Sequence, residues 1–254
     1  MRPRKDILVS VWFLIVTSLL VTAIWWAWRQ YVTDPPYVDP EQFPVRGIDV
    51  SSHNGMMNLD AAAKDGVEFI WIKASEGSDF RDANFALNYQ KAQHAGLKTG
   101  AYHFFRFDRG GVEQAMNLLR AVSGRRLELG IAVDVEEHGN PETDNDSVIQ
   151  RLQTMTEYLN LRGYRVTFYT NKDGYVKYLS ENFRGFPMWI CSFTDDAVGD
   201  DWSYWQYDHH AKVKGIRGDV DMNAFCGSRE QWDSLWNRPV PGVAYPLRTE
   251  TVSK

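Results

Sequence analysis

Only two cysteines, Cys191 and Cys226, occur in the 254 residues, so a disulfide is permitted but not required. No basic run follows Lys5, and 28 Lys and Arg stand against 33 Asp and Glu for a net charge of −5. That balance excludes a chain built to neutralise a phosphate backbone. Internal repeats and low-complexity tracts are absent, and no two histidines stand at the i, i+4 spacing of a helical metal site. What is present is the 44% hydrophobic and 24% charged make-up of a folded domain, with 14% aromatic residues that include 10 Trp and 12 Tyr. Rings in that number suit flat polar ligands such as sugars.

The one long apolar run, Ile7 to Trp28, has 22 residues without a charge and ends in Trp25, Trp26 and Trp28. As a helix rising about 1.5 Å per residue it reaches across about 30 Å of hydrocarbon, and bulky rings in place of small residues argue against cleavage. The expectation is therefore a transmembrane signal anchor at 7–28. Arg2, Arg4 and Lys5 keep residues 1–6 inside and put the remainder on the exported side. A linker follows at 29–44, stiffened by Pro35, Pro36, Pro40 and Pro44, then a domain at 45–238 and a tail at 239–254.

From Val45 onward the hydrophobic period switches between that of strands and that of helices, as in α/β domains. Strands are expected at 45–50, 69–74, 99–105, 131–136, 166–170, 188–193, 202–207 and 219–225. Helices are expected at 59–65, 84–95, 112–122, 147–161 and 174–179. Eight strands with helices only in the first part imply an irregular TIM-like barrel, whose chemistry gathers at the carboxyl ends of the strands. The two cysteines, one strand apart in such a barrel, are about 9.5 Å from each other, whereas a bridge needs Cα atoms within about 7 Å. Thiols are the expectation.

Acids mark several strand ends. Asp49 closes the first strand, and Asp134 and Glu136 share one face of the fourth, roughly 6 to 7 Å apart at their Cα atoms. Two carboxylates at that distance cannot both ionise freely, which makes an acid and a charged stabiliser from similar side chains. Asp219 and Asp221 add acids at the last strand. The same ends carry Tyr102, His103, Phe104, Tyr169, Trp189, Trp205, Gln206 and Tyr207, the candidate substrate-binding groove.

The segments Gly47-Ile48-Asp49-Val50-Ser51, Phe69 to Gly77, Gly100 to Phe105, Asp134-Val135-Glu136, Trp205-Gln206-Tyr207 and Gly218 to Asn223 resemble, in order, the motifs of glycoside hydrolase family 25, the Chalaropsis-type N-acetylmuramidases. The resemblance covers about Arg46 to Gly227. It implies a barrel of eight strands and five helices, and hydrolysis of the β-1,4 bond between N-acetylmuramic acid and N-acetylglucosamine in peptidoglycan, without metal or cofactor. Position by position it implies that Glu136 is the general acid and later the base. Asp134 would stabilise positive charge or orient the substrate acetamido group, and Asp49 and Asp221 complete the carboxylates. It implies retention, by an enzyme carboxylate or by the substrate's own acetamido oxygen. With the anchor it places the domain outside a bacterial cytoplasmic membrane, held by a single span with its N-terminus inside. Two other functions compete with this one: a metal-dependent deacetylase with Asp49 and His53 or His103 as ligands, and an anchored glycan-binding module without catalysis.

Overall fold

The computed structural model describes residues 4–31, 36–194 and 202–237. The chain divides into two compact units, Met1–Pro35 and Pro36–Lys254.

The second unit is a closed barrel. Its strands are β1 (Arg46–Val50), β2 (Val67–Glu76), β4 (Lys98–Phe104), β5 (Gly130–Asp134), β6 (Val166–Asn171), β7 (Met188–Cys191), β8 (Tyr204–Ala211) and β9 (Val220–Phe225); a two-residue β3 (Phe80–Arg81) folds back on β2 as a hairpin. Neighbouring strands from β1 to β8 pair in parallel, and β9 runs the other way between β8 and β1. One reversed strand thus closes a barrel that is otherwise parallel.

Helices α2 (Leu59–Lys64), α3 (Phe85–His94), α4 (Gly111–Val122) and α5 (Asn145–Asn160) alternate with the early strands, and α6 (Lys172–Gly174) continues into a π-turn, Tyr175–Leu179. In α4 the buried positions Gly111, Gln114, Ala115, Leu118 and Val122 recur at helical spacing and make one inward stripe. Gly111 is needed there because a Cβ would lie 2.1 Å from the Arg151 carbonyl oxygen of α5. Asp144 caps α5, its side chain accepting from the Ser147 N–H at 3.0 Å.

Strand alternation sorts side chains into two cores. Outward residues such as Ile48, Ile70, Ile72, Ala101, Ile131 and Val133 pack under the helices. Inward residues Phe69, Trp71, Ala132, Tyr169, Trp189 and Tyr204 fill the barrel. Gly47 and Gly100 make room for this filling, since a Cβ on either would lie 2.3 Å and 2.2 Å from the rings of Phe69 and Trp71. The barrel is plugged at its amino end by a helix that the periodicity did not disclose, α7 (Arg229–Asn237). Trp232 of α7 is buried, with ring centroids 5.4 Å from Phe69 and 5.2 Å from Phe225. A short helix whose three apolar residues, Trp232, Leu235 and Trp236, stand among polar ones carries too little pattern to be read without the surface it covers.

The expected anchor is corrected. A helix, α1 (Arg4–Tyr31), does form, but its described side chains are those of Val11 to Trp26. Those residues include the polar Thr17, Ser18 and Thr22. Among the described residues no helix is long and apolar enough to cross a membrane. The transmembrane helix at 7–28, the membrane as partner and the single-pass location at a bacterial cytoplasmic membrane are therefore not supported. The expected tail at 239–254 lies outside the described residues.

Cys191, in β7, and Cys226, just after β9, are thiols with β8 between their strands.

Candidate active site

The carboxyl ends of the parallel strands form one rim of the barrel, and reversal of β9 brings that strand's first residues to the same rim. Asp221, second in β9, therefore pairs in register with Asp49, fourth in β1. Asp134 ends β5 and is 7% exposed, as is Asp49; Glu136, two residues further, is half-buried like Asp221.

Asp49 sits at the centre of a hydrogen-bonded chain. Its Oδ2 accepts from Gln206 Nε2 and from Asn223 Nδ2, each at 2.8 Å. The Tyr169 hydroxyl donates to Gln206 Oε1 at 2.7 Å, and Trp189 Nε1 donates to Asn223 Oδ1 at 2.7 Å. Burial pushes Asp49 well above the usual carboxylate range, and neighbouring Asp221 pushes the same way. Burial raises Asp221 to about 6, and a hydrogen bond from Asp49 offsets part of that rise.

Asp134 and Glu136 form the second pair. Burial raises Asp134 well above its ordinary range, Glu136 adds to the rise, and the Lys73 ammonium opposes it. Asp134 Oδ1 is buried and has no hydrogen-bond partner among the described residues. Burial also raises Glu136, against the opposing influence of His138, Tyr169 and Lys73. The pair shares a proton rather than carrying two charges.

Two residues of this site were not recognised in the sequence as functional. Lys73 faces inward from β2, its Nζ 2.9 Å from Glu76 Oε2 and 5.2 Å from the centre of the Phe104 ring. The alternation Phe69, Trp71, Lys73 is the signal that would have found it, a cation on the inward face of an apolar strand. Asn140 ties down the segment after Asp134: its Nδ2 donates to the carbonyls of Glu136 at 2.8 Å and Phe105 at 2.9 Å, and its Oδ1 accepts from the Phe107 N–H at 2.9 Å. Nothing in the local sequence points to Asn140, because its partners belong to another loop.

The residues expected to line the groove divide into three groups. Tyr102 and Phe104 are half-buried on β4 and face inward. Tyr169, Trp189 and Gln206 also face inward but are 8%, 2% and 4% exposed, so they form the floor and their polar atoms are committed to the chain around Asp49. His103, Trp205 and Tyr207 point to the outer face. His103 is bonded to Ser75 Oγ at 2.8 Å and Gln114 Oε1 at 3.2 Å, and burial lowers it to about 4. Trp205 donates to the Ser192 carbonyl at 2.8 Å and packs on Phe43 and Tyr207. Asp219 is separate from the site, exposed and paired with Lys212 and His210.

The deacetylase alternative lacks its ligand set, since both ring nitrogens of His103 are occupied on the opposite side of the strand from Asp49. Among the described residues no group of three or more His, Cys, Asp or Glu is placed to hold a metal.

The profile of Glycosyl hydrolases family 25 matches residues 48–216. An autolytic lysozyme of Clostridium acetobutylicum is 31% identical over 183 residues, which cover 71% of this chain and 56% of that protein. This chain thus spans little more than half the length of that relative. Lysozyme M1 of Streptomyces globisporus is 30% identical over 216 residues, covering 76% of this chain and 71% of its own. The solved structure of a family 25 glycosyl hydrolase from Bacillus anthracis superimposes with a TM-score of 0.72 at 29% identity, covering 80% of this chain and 97% of the other.

Proposed function

The chain belongs to family 25 of the glycosyl hydrolases, and from that membership we propose that its barrel, within residues 45–238, hydrolyses the β-1,4 bond between N-acetylmuramic acid and N-acetylglucosamine in peptidoglycan. The observation that carries the reading is the buried Asp134 and Glu136 pair with one unpartnered carboxylate oxygen.

Glu136 is the general acid. Burial keeps it protonated above the ordinary glutamate range, so it can give its proton to the glycosidic oxygen as the C1–O bond breaks. Asp134, whose ionised form Lys73 favours, faces the positive charge that develops at C1. Its free Oδ1 suits the N–H of the substrate acetamido group. That bond turns the acetamido oxygen toward C1, where it bonds as the leaving sugar departs. Water then attacks C1, Glu136 takes the water's proton, and the new bond to the acetamido oxygen breaks, giving net retention. Asp49 and Asp221 supply the remaining carboxylates, and Tyr102 and Phe104 the inward rings available to a sugar.

The test is digestion of purified peptidoglycan with chemical identification of the new reducing ends. Muramic acid at those ends is the expected result. Glucosamine ends, or none at all from folded protein, would overturn the reading.

A further inference from the structure

Resting on the assignment of Glu136 as the acid, we infer that its chain neighbour Glu137 is a positioning residue: tied to Lys177 and Tyr178, and strapped from the other side by Asn140, it sets where the carboxyl group of Glu136 points. β5 ends at Asp134, paired in register with Tyr169 of β6, and the Val135 N–H still donates to the Tyr169 carbonyl at 2.8 Å. Glu136 lies beyond that pairing. Side chains and a tight turn take the place of the ladder there. The Thr170 hydroxyl donates to the Val135 carbonyl at 2.6 Å, Asn140 Nδ2 to the Glu136 carbonyl at 2.8 Å, and the Asn140 N–H to the Glu137 carbonyl at 3.0 Å.

Behind the acid the loop borders a cavity of about 380 Å³, lined by Phe107, Glu137, Asn140, Lys177 and Tyr178 among others. A segment beside such a void settles into it unless it is held. Here the contacts run round the void and back to the acid. Glu137 Oε1 accepts from the Tyr178 hydroxyl at 2.9 Å and from Lys177 Nζ, the Tyr178 ring stands edge-on to Phe107 at 5.4 Å, and the Phe107 N–H donates to Asn140 Oδ1 at 2.9 Å. Arg151 of α5 donates to the Phe107 carbonyl and joins this ring of contacts to the scaffold. Phe107 and Tyr178 are buried, but the side chains of Glu137 and Lys177 are 59% and 41% exposed. An ion pair so open to water contributes little stability. What it supplies is direction. The hydrogen bonds from Lys177 and Tyr178 hold Glu137 below the ordinary glutamate range, so a fixed carboxylate stands next to an acid that burial keeps protonated.

Two substrates with different leaving groups separate this role from a structural one. Soluble peptidoglycan oligomers need a proton on the glycosidic oxygen, whereas a dinitrophenyl β-glycoside of N-acetylglucosaminyl-N-acetylmuramic acid expels dinitrophenolate without one. Glu137→Ala is expected to lower kcat/KM, which reports the first bond cleavage, by about 10- to 100-fold on the oligomers but no more than about threefold on the aryl glycoside. Its melting temperature should stay within about 2 °C of wild type. Glu137→Gln keeps an oxygen for Tyr178 and should stay within about threefold of wild type on both substrates. Equal losses on the two substrates, or a wild-type rate in Glu137→Ala, overturn the inference. Should Glu137→Ala not fold, Lys177→Met decides by the same comparison: a loss larger on the oligomers supports the inference, and equal losses or none overturn it. If the wild type releases muramic acid ends and Glu136→Gln is inactive while Glu137→Ala keeps the full rate, only this inference fails. If the wild type releases no such ends, the muramidase reading fails and this inference with it.

Discussion

The two ends of the barrel interior are built by the same strands and have opposite characters. At the amino end the inward positions of β1, β2, β4, β8 and β9 are Gly47, Phe69 and Trp71, Gly100, Tyr204 and Phe225; toward the carboxyl end they become Asp49, Lys73, Tyr102, Gln206 and Asp221. The first set is a dry stack of rings, with Trp71 on Trp189 at 5.4 Å and Tyr204 edge-on to Trp71 at 5.7 Å. The second holds like charges away from water, at an energetic cost. The stability lost at one end is offset by packing at the other, a division of labour that leaves the carboxylates free to have perturbed pKa values.

The largest effect expected from this division is on turnover. Glu136→Gln cannot donate a proton and should lower kcat by about 100- to 10,000-fold, read as reducing ends released per minute, with the melting temperature kept. An unchanged rate would remove Glu136 from the chemistry. At the other end the effect reverses. Trp71→Ala should cost about 3–5 kcal/mol in a denaturant titration, through the cavity left under Trp189 and Tyr204. Its kcat, measured under conditions where the protein is folded, should stay within a few-fold of wild type. Gly100→Ala should destabilise by about 1–3 kcal/mol, because its Cβ would lie 2.2 Å from the Trp71 ring.

Asp134→Asn should lower activity and raise stability. The folded state raises the Asp134 pKa above its ordinary value of 3.8, so between those two values the folded protein binds a proton that the unfolded chain has released. Stability is therefore lost as pH rises through that window. The asparagine variant, free of the loss, should melt about 2–4 °C higher at pH 7, and its advantage should vanish below the ordinary carboxylate range. A lower melting temperature at pH 7 would mean that the carboxylate is stabilised in the folded protein. The smallest effect is expected at the exposed surface. Glu181 and Arg184 meet at 2.6 Å with side chains 75% and 70% exposed, and Glu181→Ala should leave the melting temperature within about 1 °C.

Much of the barrel was legible in the chain. The strands were placed to within a few residues because runs such as Phe69-Ile70-Trp71-Ile72 are apolar on both faces and end at polar groups. Asp134 and Glu136 were found because the period of two sets both acids on one face of an otherwise apolar strand. The same period misled with His103, Trp205 and Tyr207. In a barrel both faces of a strand are buried, so alternation separates two sets of residues without saying which set faces the centre. At β8 the inward residue is Gln206, and its aromatic neighbours in the Trp-Gln-Tyr motif pack outside. The helix α1 shows another limit, since an apolar run is a local property, and among the described residues no helix is long and apolar enough to cross a membrane.

The amino-acid sequence by itself determined the α/β alternation, the acids at the strand ends and the family, because all three are written in short-range order. Only the tertiary structure decided how those acids work together. Reversal of β9 sets Asp221 beside Asp49, Lys73 arrives from β2, Asn140 ties the Glu136 segment to the loop after β4, and the chain from Trp189 to Tyr169 joins residues of β7, β9, β1, β8 and β6. Proton location depends on distances and burial among groups up to 174 positions apart, and those exist only once the barrel has closed.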